Sequence, residues 1–366
     1  MKNTFGNQLT VTLFGESHGN VIGAVLDGIS PGIMIDHDYI QKKLALRRPF
    51  GKISTSRVER DAYTLVSGVF NGKTTGAPLT VLIPNENKKS DDYATHPLRP
   101  GHADLAAMLK YQGYEDYRGG GHFSGRLTAP LVVIGAILEM ALADKGIVIG
   151  THIKRLAGID DLPLNDLENE LPALNEKRFA TLSDEIGAQM IAAIEEAAEE
   201  GDSVGGILET AVTGLPAGLG EPWFDSVESL LSHALFSIGG VKGVAFGDGF
   251  ALSDMRGSEA NDPLSVQDGR IVTLTNKNGG INGGITNGMP LRFTTAVKPT
   301  PSIFKEQQSV SPDTMTPYAL SLKGRHDPAI VHRIRAVVDA MTAIVLADLL
   351  TTVYGRNYFL PHKESV

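Results

Sequence analysis

Asn71-Gly72-Lys73-Thr74-Thr75-Gly76-Ala77-Pro78-Leu79 and Asn282-Gly283-Gly284-Ile285-Thr286-Asn287-Gly288-Met289-Pro290-Leu291 agree in Asn-Gly, Thr, Gly and Pro-Leu, with one insertion. Each is a glycine-rich turn running into an apolar segment, residues 79–83 in the first case and 291–297 in the second. Two copies of one turn-plus-strand unit predict an internally pseudo-symmetric architecture. A chance likeness between two glycine turns is the competing explanation.

Outward from these turns, apolar periodicity alternates between helix and strand. Leu9, Val11 and Leu13 alternate with Thr10 and Thr12, a half-buried strand that ends in the turn Gly15-Glu16-Ser17-His18-Gly19. Asp36 and Asp38 open a helix through Ile40, Leu44 and Leu46 that stops before Pro49. Further strands are predicted at residues 66–69, 79–83, 147–153, 204–212, 241–246, 271–275 and 291–297. Helices are predicted at 103–111, 127–143, 184–200, 227–236 and 329–350. The acidic run 160–176 reads as a solvated surface excursion. The fold class is α/β (α+β), and with no linker dividing the chain, residues 1–366 are expected to form a single domain.

Composition narrows the function. Lys+Arg number 33 against 42 Asp+Glu, a net charge of −9, which argues against a general nucleic-acid binder. With 42% hydrophobic residues and no Cys, a large core is available while disulfides, thiolate metal sites and thiol nucleophiles are excluded. No export signal is visible in residues 1–14, and the apolar stretch 129–143 is too short to span a bilayer. A cytoplasmic protein with no membrane partner is therefore expected.

Four of the ten histidines lie in turn-rich segments beside other reactive groups: His18, His102 in Arg-Pro-Gly-His-Ala-Asp, His122 after Gly119-Gly120-Gly121, and His326 in Gly-Arg-His-Asp-Pro. Imidazole titrates nearest neutrality and suits proton transfer. Arg47, Arg48, Arg57, Arg60, Arg99, Arg118, Arg126 and Arg325 flank the same segments, a pattern that points to an anionic ligand because guanidinium forks onto carboxylate and phosphate. Lys298-Pro299-Thr300-Pro301-Ser302 places polar groups on a stiff strand end. Neither a P-loop nor a dinucleotide fingerprint is present. Ser17-His18 lacks the Gly-x-Ser-x-Gly elbow of covalent serine catalysis.

Taken in order, these motifs resemble the chorismate synthase family from end to end. The resemblance rests on Gly15–Gly19, 67–76, Arg99-Pro100-Gly101-His102-Ala103-Asp104, Tyr117-Arg118-Gly119-Gly120-Gly121, 201–206, 241–244, 279–285, Lys298-Pro299-Thr300 and Gly324-Arg325-His326-Asp327-Pro328. It implies a β-α-β sandwich with internal pseudo-symmetry and a lyase that eliminates phosphate from 5-enolpyruvylshikimate 3-phosphate to give chorismate. It further implies reduced FMN without net redox, no metal, and a homotetramer.

By the same resemblance His102 is the proton donor on the phosphate-leaving side, and His18 stabilises the reduced flavin near its N1 edge. Asp327, with Ser17, handles the proton at flavin N5. Arg48, Arg57, Arg126 and Arg325 are the substrate-binding arginines. The flavin contacts fall on His122, Phe123, Ser124, Gly239, Gly240, Gly283, Lys298, Pro299, Thr300, Pro301, Ser302 and Arg325. After the triple glycine, many members read Arg-Ser-Ser-Ala-Arg-Glu where this chain has His122-Phe123-Ser124-Gly125-Arg126-Leu127, which shifts the expected contacts there towards backbone. The resemblance leaves two sources for the reduced flavin, an intrinsic NADPH-dependent reductase activity or an external supply with NADPH as the reductant. Two rival readings remain at this point: a metal-dependent phosphohydrolase built on His102–Asp104 and His326–Asp327, and a noncatalytic binder of phosphorylated metabolites.

Overall fold

The computed structural model describes residues 2–55, 60–86, 98–322 and 326–361. The first half runs β1 (Thr4–Phe5), β2 (Thr10–Gly15), β3 (Val21–Asp27), α1 (His37–Arg47), β4 (Thr64–Ser67), β5 (Val69–Phe70), β6 (Lys73–Thr74), β7 (Leu79–Pro84), α2 (Asp104–Tyr111) and α3 (Thr128–Ala143). The second runs β8 (Val148–Leu156), β9 (Ile159–Asp160), α4 (Leu167–Glu176), α5 (Asp184–Glu199), β10 (Gly206–Thr213), α6 (Val227–Phe236) and β11 (Val241–Phe246). It continues through α7 (Gly257–Ala260), β12 (Leu264–Gln267), β13 (Arg270–Thr273), β14 (Ile281–Asn282), β15 (Ile285–Thr286), β16 (Leu291–Val297), β17 (Gln307–Ser311), β18 (Thr316–Leu320) and α8 (Val331–Tyr354).

The two halves repeat one another. The strands order as β2-β3-β7-β4 in one sheet and β8-β10-β16-β11 in the other, all antiparallel, with β1 and β9 at the β2 and β8 edges. Helix α1 follows β3 as α6 follows β10, the hairpin β5–β6 precedes β7 as β14–β15 precedes β16, and α3 follows β7 as α8 follows β16. The repeated turn shows why its threonine recurs. Thr74 Oγ1 donates to Ser30 O at 2.7 Å and accepts from Ile33 N at 2.9 Å; Thr286 Oγ1 donates to Pro216 O at 2.7 Å and accepts from Leu219 N at 2.9 Å. The backbone bonds Gly32 N to Thr74 O and Gly218 N to Thr286 O are each 2.8 Å. The internal likeness read from the two turns is therefore a repeat of structure.

Helices α3 and α8 lie between the sheets. α3 packs on β3 and β7, α8 on β8 and β10, and the two helices pack on each other. Their crossing is close: a Cβ at Gly135 would stand 2.3 Å from that of Ala340, so glycine is required there. Two apolar stretches, Arg118–Ala143 and Val331–Tyr354, are long enough to cross a membrane, but 78% and 89% of their apolar windows are buried inside the fold. Charge is enclosed with them: Lys43 of α1 contacts Glu139 of α3 at 2.7 Å and Asp339 of α8 at 3.1 Å, and all three are buried. Asp348 on α8 accepts from the backbone N–H of Asn7, Gln8 and Leu9, each at 2.8 Å, which pins the start of β2 to the central helix.

Most expected elements fall where the periodicity put them, including the helix capped by Asp36, whose carboxylate accepts from Tyr39 N at 2.9 Å. The run 160–176 is a correction. It contains β9 and α4, with Leu164, Leu171 and Leu174 buried against Ala211 on the face of the second sheet turned away from α8. Its acidic residues occupy the outer side of an amphipathic helix. The strand expected at 66–69 is broken by Gly68 at φ 81°, where a Cβ would lie 2.5 Å from Leu79 Cα.

Candidate active site

Equivalent connections from the two repeats build one cleft. The loops after α1 and after β7 come from the first half, and those after α6 and after β16 from the second. They enclose a cavity of about 600 Å³. Among the described residues six cationic side chains line it, Arg47, Arg48, Arg126, Lys242, Lys298 and Arg333, with Asp61 and Asp327 as the carboxylates. Gly239, Gly240 and residues 298–302 form one wall, while Phe123, Ser124 and His102 form another.

The triple glycine brings His18 and His102 together. Gly119, Gly120 and Gly121 all have positive φ, at 60°, 81° and 52°. A Cβ on Gly119 would fall 2.4 Å from His18 Cε1 and 3.0 Å from Ser17 Oγ, and one on Gly120 would fall 3.3 Å from His102 Cε1. Side chains other than hydrogen are thus excluded where the backbone passes between the rings. Ser17 and His18 are buried, and Ser17 N donates to Gly121 O at 3.0 Å. Ser17 Oγ has no partner among the described residues. His102 Nδ1 lies 2.7 Å from Asp104 Oδ1, and Arg99 holds that carboxylate through Nε and Nη2, each at 2.7 Å.

The arginines are organised by a buried carboxylate. Arg126 donates through Nη1 to Asp61, through Nε to Asn85 Oδ1 at 3.1 Å and through Nη2 to Pro84 O at 3.2 Å. Arg48 Nε lies 3.6 Å from Asp61, and its Nη2 donates to Gln41 Oε1 at 3.1 Å and to Arg60 O. Burial would raise the Asp61 carboxyl, but Arg47, Arg126 and Arg48 outweigh it and hold it below the usual carboxylate range. Asp327 accepts from Thr55 N at 2.9 Å and from Arg333 Nη1 at 2.5 Å, so both of its oxygens are engaged.

Of the residues singled out in the sequence, His102, Asp327, Arg48, Arg126, Phe123, Ser124, Gly239, Gly240 and 298–302 meet at this cavity. His122 faces a second cavity of about 360 Å³ on the other side of His102, with Nδ1 2.8 Å from Gly15 O. Gly283 turns the hairpin between β14 and β15 and lines neither cavity. Arg57 and Arg325 lie outside the described residues. Asp61, Lys242 and Arg333 carry no local site signature: Asp61 meets Arg126 from 65 positions away, and Arg333 meets Asp327 where the chain turns into α8. Asp104 was visible in the His102–Asp104 spacing.

A family model described as chorismate synthase matches residues 9–351. The chain belongs to the chorismate synthase family. A chorismate synthase of Dehalococcoides mccartyi is 46% identical over 353 residues, spanning 95% of this chain and 96% of that protein. One of Pyrococcus abyssi is 46% identical over 348 residues, spanning 94% and 96%. A solved crystal structure of chorismate synthase superposes with a TM-score of 0.75 at 27% identity, covering 96% of this chain and 94% of the other. The chain is therefore an enzyme, a lyase of the shikimate pathway acting on a small molecule, and the expected fold class holds. The phosphohydrolase and binding-protein readings give way to it.

A chorismate synthase implies a reduced flavin, and the residues present fit one. The cavity is of small-molecule size. Gly240, at φ 95°, keeps its wall free of side chain, and Lys298 supplies a cation. Thr300 Oγ1 is buried there with no partner among the described residues.

Proposed function

We propose that this enzyme eliminates phosphate in a trans-1,4 sense from 5-enolpyruvylshikimate 3-phosphate to give chorismate, with reduced FMN held in the cavity between the repeats. The observation that carries the reading is charge. In a chain of net charge −9, six cationic groups from both repeats face one cavity, and the substrate brings two carboxylates and a phosphate.

Arg48, Arg126, Arg57 and Arg325 take the substrate's anionic groups. His102 gives a proton to the departing phosphate, where preorganised positive charge is worth most because charge develops there. Asp327, oriented by Thr55 N and Arg333, works with Ser17 on the proton leaving C6. His18 steadies the electron-rich edge of the cofactor. Gly239, Gly240, Lys298, Thr300, Ser302 and the backbone of 122–124 hold the cofactor in place. When bound, reduced FMN lends an electron and recovers it, so no net redox results.

The test is anaerobic incubation with chemically reduced FMN and the substrate, following phosphate and chorismate together. Both products are expected with reduced FMN and neither with oxidised FMN; phosphate released regardless of flavin state would refute the reading. Asp327→Asn and His102→Ala are each expected to lower turnover at least 100-fold while changing flavin affinity less than about threefold, from the usual size of acid–base contributions. Unchanged turnover in both contradicts the assignment.

We also infer a cytoplasmic homotetramer that takes electrons derived from NADPH and binds neither membrane nor nucleic acid. The hairpin β12–β13 exposes Leu264, Val266 and Ile271, an apolar surface suited to a second copy. Sedimentation as a tetramer supports this, and sedimentation as a monomer refutes it.

A further inference from the structure

His102 does not stand alone, and the geometry around its Nδ1 reaches beyond the role assigned to the ring itself. We propose that Asp104 is the positioning residue of His102: it fixes the ring tautomer with hydrogen on Nδ1 and so presents Nε2 to the departing phosphate. The inference rests on the reading above through the role of His102.

The argument is a count of donors. A carboxylate offers about four lone-pair sites. Oδ2 of Asp104 accepts from Arg99 N at 3.0 Å and from Arg99 Nε at 2.7 Å. Oδ1 accepts from Arg99 Nη2 at 2.7 Å and stands 2.7 Å from His102 Nδ1. The fourth site is filled only if Nδ1 carries hydrogen. Arg99 Nη2 also lies 3.1 Å from Nδ1 and has a second hydrogen for a bare nitrogen, but a bare Nδ1 would set its lone pair against Oδ1 at 2.7 Å. The carboxylate therefore wins the proton's placement.

Asp104 opens α2 and is buried. Burial would raise its carboxyl, yet hydrogen bonds from Arg99 and His102, with their charges, hold it well below the usual carboxylate range. It stays ionised wherever the enzyme works and cannot accept the imidazole proton. It orients the ring and stabilises the imidazolium, as the carboxylate of a catalytic triad does.

The other side of the ring is open. A Cβ on Gly120 would be 3.6 Å from Nε2, so the glycine keeps side chain away from that nitrogen. The ring lines both cavities. Among the described residues, the other titratable groups on these cavities are Lys298, whose Nζ donates to Gly101 O at 2.5 Å, with the arginines, Lys242, Asp61 and Asp327 of the first, and Glu16, Glu115, Asp116, His122 and three tyrosines of the second. In the step itself one proton passes from Nε2 to a phosphate oxygen as the carbon–oxygen bond breaks and its electron pair leaves with the phosphate. His102 is left neutral with Nδ1–H on Asp104, and water returns the proton.

The test is Asp104→Asn in the enzyme supplied with reduced FMN, assayed for phosphate release across pH. Turnover is expected to fall about tenfold or more with KM within about threefold. The alkaline limb of the profile is expected to move about one unit lower, the size a lost charge-assisted hydrogen bond produces. In a His102→Ala background the same substitution is expected to change turnover less than about twofold, because the interaction it removes is gone. An unmoved limb with losses that multiply in the double variant overturns the proposal.

Should Asp104→Asn fail to fold, nitrogen-15 resonance of histidine-labelled wild-type protein decides, with the signal assigned by its loss in His102→Ala. Hydrogen on Nδ1 of the neutral ring is expected, and hydrogen on Nε2 overturns the idea. A wild type that makes no chorismate is instead the failure of the functional reading.

Discussion

A methyl group at Gly119 would meet the His18 ring at 2.4 Å, and one at Gly120 would meet the His102 ring at 3.3 Å. Both backbones are left-handed, which already disfavours any side chain. The difference in clearance makes a graded prediction. Gly119→Ala is expected to lower turnover by about 100-fold or more and Gly120→Ala by about tenfold, each also costing about 1 kcal/mol of stability from the strained φ. Steady-state kinetics beside urea melts check the order, and equal effects would show that the rings are not what the glycines protect. At this scale turn signatures marked the glycines and four histidines, of which His102 lines the main cavity among the described residues, while Asp327 was marked by the family resemblance. The sequence was silent on Asp61 and Arg333, which matter only because folding brings Arg126 onto the one and Asp327 onto the other.

Elements of the second sheet are tied by a buried histidine. His152 on β8 lies 3.1 Å from Asp161 and 3.1 Å from Glu209 on β10. Burial would lower its pKa, but the hydrogen bonds and charges of the two carboxylates outweigh burial and raise it, while Glu209 is held down at about 2. A raised histidine contributes stability that is complete below its unfolded value of about 6.5 and is lost as pH rises through the folded value. The advantage of wild type over His152→Gln is therefore expected to be about 3 kcal/mol near pH 6 and to shrink at alkaline pH, as denaturant melts at several pH values would show. A gap that widens with pH refutes the charged assignment.

The same region shows where periodicity reads well and where it fails. β2, α1, α3, α6 and β16 are strongly patterned, and they fall where expected. α4 differs from the expected loop because its acidic residues dominate the pattern, while only Leu171 and Leu174, beside a half-buried Leu167, carry its buried face. β17, Gln-Gln-Ser-Val-Ser, is polar almost throughout and pairs only with β18, so apolar alternation had nothing to mark.

On the scale of the molecule, the two repeats share one core, in which α3 and α8 bury their surfaces against each other. A single cooperative transition in calorimetry is expected, with equal van't Hoff and calorimetric enthalpies per folding unit; two resolved transitions would show halves that fold apart. The close crossing at Gly135 and Ala340 has a consequence for how ligands come and go. Clefts between two lobes commonly open by a hinge, one lobe swinging from the other. Here the backbone of Gly135 packs against Ala340 at a point where a second methyl group does not fit, and packed interiors deform little. The width of the cleft is therefore set by that crossing, and its floor is expected to keep the same span whether the cleft is empty or filled.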